Sequence, residues 1–204
     1  MKNNGLPFNW FDLVVAVFLI AGILRGRKRG MSQEVVTLLQ WFAILLCCAF
    51  FYEPVGRWLA GSTPISLLTS FVIAYVVVAA LVSILFVVFK RVVGGKLIGS
   101  DAFGKGEYYL GMPAGMLRFA CILLCVLALL NARFYSKQEI ENYQKFQQDV
   151  YGSEFFPGLQ AVQANVFENS LIGPHIKKNL AFLLIRPTPP GGGKDLKQKE
   201  WEMR

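Results

Sequence analysis

The sequence predicts an all-α integral membrane protein, with four membrane-spanning helices followed by a short amphipathic-helical C-terminal tail. Three observations carry that expectation. Of 204 residues, 54% are hydrophobic and only 17% are charged, against about one quarter charged in an ordinary soluble domain. The charges are gathered into clusters between long apolar runs. Four of those runs approach the ~20 apolar residues that a bilayer crossing needs. A formal charge of +8 would by itself suggest nucleic acid or an anionic surface. Beside uncharged runs of this length, the lipid surface is the stronger reading.

The first run covers about 8–24 and holds one charge, Asp12. It is not read as a cleaved signal, because only Lys2 precedes it, a block of four cations follows it, and no Ala-x-Ala site intervenes. The second run, about 35–52, reads "VVTLLQWFAILLCCAFFY" without a charge, and residues 53–64 are expected to loop back. The third, 65–89, is also uncharged and reaches roughly 37 Å as a helix. The fourth, about 113–132, is broken only by Arg118, with Pro113 placed as its first helical residue. Residues 1–132 thus form the transmembrane domain, 133–186 an amphipathic extracytoplasmic segment, and 187–204 a Pro/Gly linker with a charged end.

Orientation follows from the short loops, since those rich in Lys and Arg stay in the cytoplasm. The first loop holds Arg25, Arg27, Lys28 and Arg29, and the third holds Lys90, Arg91, Lys96 and Lys105. The opposite side has only Lys2 and Arg57 outside the tail. Both termini are therefore expected outside the cytoplasm, with the basic loops meeting anionic lipid heads on the inside.

"LRGRKRGMSQE", Leu24 to Glu34, is first a topology signal. Gly22, Gly26 and Gly30 recur every four residues, either as a face that lets two helix backbones approach or as turn residues in a tight basic loop. The later glycines, Gly94 to Gly115, do not make a phosphate loop, because "GGKLIGS" has its lysine in the wrong place. They suggest a flexible or re-entrant hairpin, with helix packing at Gly111 and Gly115.

Two charges fall within the spans. Asp12 is a functional candidate or a helix cap. Arg118 is read as one half of a structural ion pair with Glu34 or Glu107, in preference to a transport site. The four cysteines lie inside spans and behave as small apolar side chains. The single His175 is assigned to a polar face. No Ser-His-Asp, Cys-His or paired-carboxylate arrangement is suggested, so the protein is read as non-enzymatic and without a cofactor. The basic run lacks the interleaved aromatics of a nucleic-acid platform, and no nucleic-acid partner is expected.

In the tail, "SKQE" from Ser136 has capping-box spacing, and Ile140 to Val150 follow at helical intervals. Leu159, Val162, Val166 and Phe167 outline a second helix, stopped by Gly173-Pro174. A third apolar piece runs from Ile176 to Ile185. About 50 residues are too few for a sturdy core of their own, so their apolar faces should lie on the membrane interface, on the bundle or on a partner.

Taken together, Trp10-Phe11-Asp12, the block Arg29-Gly30-x-x-x-Glu34 with Trp41 beyond it, and the block Leu110-Gly111, Gly115, Arg118 resemble the colicin V production protein (CvpA) family of bacterial inner-membrane proteins. The resemblance covers about residues 8–132. It departs at Phe119, where a glycine is usual, and at the acid before Leu110, for which Asp101 or Glu107 stands. The resemblance implies a multi-pass inner-membrane protein linked to toxin production or export, envelope homeostasis and biofilm phenotypes, acting as an accessory or interaction component. Its expected partners are the bilayer and a second copy or an envelope protein. The alternative is a small oligomeric transporter or channel.

Overall fold

The computed structural model describes residues 9–98, 104–136, 145, 149 and 158–189. Among them the chain is helical, with one isolated bridge between Arg133 and Thr188. Four long helices make the body: α1 (Trp10–Arg29), α2 (Met31–Ser62), α3 (Leu67–Ile98) and α4 (Glu107–Leu130). Two short ones, α5 (Leu159–Phe167) and α6 (Ile172–Asn179), belong to the tail. Three helices, α2, α3 and α4, are long and apolar enough to cross a membrane. In α1, Asp12 at one end and Arg25 to Arg29 at the other leave an apolar stretch of only ~18 Å, short of the ~30 Å hydrocarbon core.

The helices pack in the order α1, α4, α2, α3. Gly22 meets Gly115 and Gly26 meets Gly111, so α1 runs antiparallel to α4. Tyr52 packs edge-on to Phe71 while Gln40 reaches Lys90, so α2 and α3 are antiparallel as well. One end of the body gathers Arg29, Lys90 and Glu107. The other gathers the start of α1, the α2–α3 corner and the tail. Side chains turned away from the packing are apolar along the length, among them Val17 and Ile20 of α1, Phe42 of α2, Leu81 and Leu85 of α3 and Leu117 of α4. Such a surface is stable against lipid chains and not against water.

The glycines fill both roles open to them. A Cβ on Gly26 would overlap the Gly111 carbonyl oxygen, and one on Gly22 would stand 2.9 Å from the Gly115 oxygen. Gly30 is the whole connection between α1 and α2, at φ 75° and ψ 168°, a region open essentially to glycine alone. Its N–H donates to the Gly26 carbonyl at 2.9 Å, and its carbonyl accepts from the Glu34 N–H at 3.2 Å.

Most of the first basic loop is helix, because α1 runs on to Arg29 and α2 starts at Met31, and four further element boundaries differ from the sequence expectation. Residues 53–62 are helix instead of loop: α2 runs through Pro54 to Ser62, its last turns held where Gly56 lies on the Phe71 ring. α4 starts at Glu107, which puts Pro113 inside it. The proline removes the bond its nitrogen would have donated to the Tyr109 carbonyl, and Pro113 itself lies between Gly111 and Gly115, in the stretch pressed on α1. The glycine hairpin is largely helical too, since α3 continues to Ile98 and a 3-10 turn at Gly104–Gly106 leads into α4. Gly173-Pro174 does not end a helix but sits in the first turn of α6, where a missing N–H costs nothing. The first expected tail helix, at 136–150, lies almost wholly outside the described residues.

The α1–α4 contact makes a sharp prediction. Gly26→Leu must separate two backbones, and should cost more than the ~1–3 kcal/mol of ordinary overpacking, read as a lower Tm in detergent. Gly61→Leu is the matched control, because a Cβ there meets nothing within 4 Å; its Tm should stay at the wild-type value.

Candidate functional site

Two buried polar centres lie at opposite ends of the body. At the basic end, the single-residue turn at Gly30 folds the first turn of α2 back towards α4. Glu34, fully buried, thereby faces Arg118, which is 4% exposed. Arg118 Nη1 donates to Glu34 Oε2 at 2.6 Å, and Arg29 Nη1 lies 3.8 Å from Glu34 Oε1. A charge-assisted bond this short is among the stronger kinds. The Arg118 guanidinium also lies 5.0 Å from the centre of the Phe119 ring, which packs on Phe18. Among the described residues, Glu34 Oε1 and Arg118 Nε have no hydrogen-bond partner. Next to this group, Lys90 Nζ donates to Gln40 Oε1 at 2.7 Å.

At the far end, Asn9 caps α1 and Asp12 returns the bond in a capping box, accepting from the Asn9 N–H at 3.0 Å. The same carboxylate accepts from the Leu171 N–H at 3.1 Å and the Ile172 N–H at 3.3 Å. These two N–H groups open α6. One side chain therefore caps two helices whose residues are some 160 positions apart, and negative charge is favoured at both N-termini.

The tail closes over this end through several further contacts. Asn9 Nδ2 donates to the Asn165 carbonyl at 3.3 Å, and Asn131 Nδ2 to the Ile185 carbonyl at 2.9 Å. Gln163 Nε2 bridges the carbonyls of Leu130 and Arg133. The Arg186 N–H donates to the Tyr52 hydroxyl at 3.3 Å. Thr188 exchanges backbone bonds with Ala132 and Phe134. Beneath them, Val166, Phe167, Leu184 and Ile185 are buried in one apolar cluster with Tyr52 and Leu127. Of the three places open to the tail's apolar faces, residues 158–189 take the bundle.

The sequence candidates thus divide. Arg29, Glu34 and Arg118 come together, and Gly26, Gly111 and Gly115 form the contact that brings them there. Glu107 does not pair with Arg118; its side chain lies against Gly30, where a Cβ would stand 2.7 Å from Glu107 Cγ. Asp101 lies outside the described residues. All four cysteines are free, and His175 is exposed on α6. Among the described residues, no group of three His, Cys, Asp or Glu could hold a metal. Asn9, Gln40 and Asn131 join these centres from outside the sequence candidates. Asn9 and Asp12 have the spacing of a capping box, and Gln40 is a polar residue inside an apolar run, so both carried a readable signal.

A family model for the colicin V production protein matches residues 11–177. The chain belongs to the colicin V production family. No curated protein and no solved structure matches it. The family match extends beyond residues 8–132, which carry the resemblance, and takes in Leu171 and Ile172. The family match therefore takes in the tail as far as Lys177.

Two predictions follow from these centres. Glu34→Gln leaves the Arg118 charge buried without its counter-charge and should cost about 3–5 kcal/mol. The double variant Glu34→Leu/Arg118→Met should recover most of that loss in detergent melts. Asp12→Ala strands the N–H groups of Leu171 and Ile172, at a cost of about 1–3 kcal/mol. Limited proteolysis should then cut within 158–189 faster than in wild type, while the long helices stay protected.

Proposed function

We propose that this member of the colicin V production family is a non-enzymatic inner-membrane component that serves toxin production or export, and envelope homeostasis, by holding a partner protein at its tail-capped end. In this reading α1 is a fourth span, shortened by its charged ends and carried along α4 by the glycine contact. The basic end faces the cytoplasm, and both termini lie outside it. The observation that carries the reading is the Asp12 double cap, which fixes the tail as a shaped surface on the bundle. That surface presents Leu159, Leu171 and Phe182. Beside it opens a cleft of about 470 Å³, bordered by Phe50, Glu53, Arg57, Phe182 and Arg186. Glu53 bridges Arg57 at 2.8 Å and Arg186 at 3.6 Å across that cleft, joining α2 to the tail.

A second reading, a small oligomeric transporter, draws on Glu34 Oε1 and Arg118 Nε, which lack a hydrogen bond within the buried group. The two readings separate in one experiment. Proximity labelling in cells from a C-terminal fusion should give a reproducible set of extracytoplasmic neighbours, which Phe182→Glu removes. Glu34→Leu/Arg118→Met should keep both the labelling pattern and the cellular phenotype. Loss of the phenotype in that stable double variant, with labelling unchanged, would favour transport. A labelling pattern made only of cytoplasmic proteins would overturn the orientation.

A further inference from the structure

At the basic end a second cavity, about 600 Å³, opens between α1 and α4. It is lined by Ala21, Leu24, Arg25, Lys28, Arg29 and Phe119. Ala21, Leu24, Arg25 and Lys28 share one face of α1, being spaced by three and four residues. Along that face the lining changes from apolar to cationic within about 10 Å of helix. Phe119 supplies the opposite wall.

Three cations converge on this groove, and they exceed what their surroundings neutralise. The C-terminus of α1 offers roughly half a negative charge. Glu34 is the carboxylate that pairs with Arg29, at 3.8 Å, and it is already bonded to Arg118 at 2.6 Å. Arg25 and Lys28 are exposed and have no described ion pair with a carboxylate. An anion is therefore called for, and the apolar half of the groove says what kind. A free phosphate would have no use for Ala21, Leu24 and Phe119, whereas an amphiphile would cover both halves. The volume falls within the ~300–1,000 Å³ of small-molecule sites.

We infer that this groove binds one anionic phospholipid, its phosphodiester among Arg25, Lys28 and Arg29 and the upper part of its chains along Leu24, Ala21 and Phe119. The site deepens the membrane reading but does not depend on which face of the membrane holds the basic end, nor on the tail partner. Bound there, the lipid would lie across the α1–α4 contact from the outside and supply the negative charge that Glu34 does not.

The test is native mass spectrometry of the full chain released from micelles with equal amounts of phosphatidylglycerol and phosphatidylcholine. Wild type should retain a single phosphatidylglycerol in clear preference to phosphatidylcholine. Arg25→Gln and Lys28→Gln should each reduce that preference by roughly fivefold. Arg57→Gln with Arg186→Gln, two cations removed from the far end, should leave it unchanged. Arg25 and Lys28, the rim cations of the groove, are exposed, so the Tm without added lipid should not move, which separates lost binding from lost folding. The inference is overturned by equal retention of the two lipids, or by a preference that survives loss of both rim cations. It is also overturned if the far-end variant reduces the preference as much, or if inorganic phosphate in excess displaces the lipid.

Discussion

The direct contact between the backbones of α1 and α4 is the constraint on which the remaining arrangement depends. In lipid, helices gain nothing from burying apolar surface against one another, so close approach and van der Waals contact must hold them. Gly22 and Gly26 on one side, with Gly111 and Gly115 on the other, permit an approach that any Cβ would block. Once α1 lies there, the turn at Gly30 has one direction to take, and Glu34 arrives opposite Arg118. The polar centre at the basic end is thus a consequence of apolar geometry.

The ion pair is better understood as a fixer of register than as a source of stability. Removing two charges from water offsets most of what their attraction returns, and apolar residues of the same volume often do as well. What the pair does is penalise every arrangement in which either partner is left alone. A shift of α4 by one turn along α1 would strand Arg118 in the bilayer, at a cost of about 2.5–3.5 kcal/mol even on the milder scales. Glycine faces are smooth and would tolerate sliding, and the buried charge removes that freedom.

Much of this was readable from the residues. The apolar runs of α2, α3 and α4, the small-residue spacing of α1, and the pairing of Arg118 with a basic-end acid all follow from local pattern and bilayer cost. The boundaries are less readable, because proline ordinarily punctuates a helix. Pro54 and Pro113 lie inside helices, where neighbouring packing at Gly56 and at Gly111–Gly115 overrides a local preference. The role of Asp12 was half visible. Its spacing from Asn9 announces a cap, but nothing near it in sequence announces α6. The tail contacts rest on single polar side chains, Asn131 and Gln163, that reach backbone carbonyls. Carbonyls have no sequence signature, so such partners emerge only from the fold.

The shared carboxylate also says something about the order in which the molecule can be assembled. Asp12 lies in α1, and the N–H groups it holds are made some 160 residues later. Throughout synthesis the first helix therefore waits with one of its own end-bonds in place and a charged group still unclaimed. Only when the last third of the chain has emerged can that charge be enclosed. The start of α1 is finished by the start of α6, and a chain cut short before Leu171 would keep its long helices yet never close.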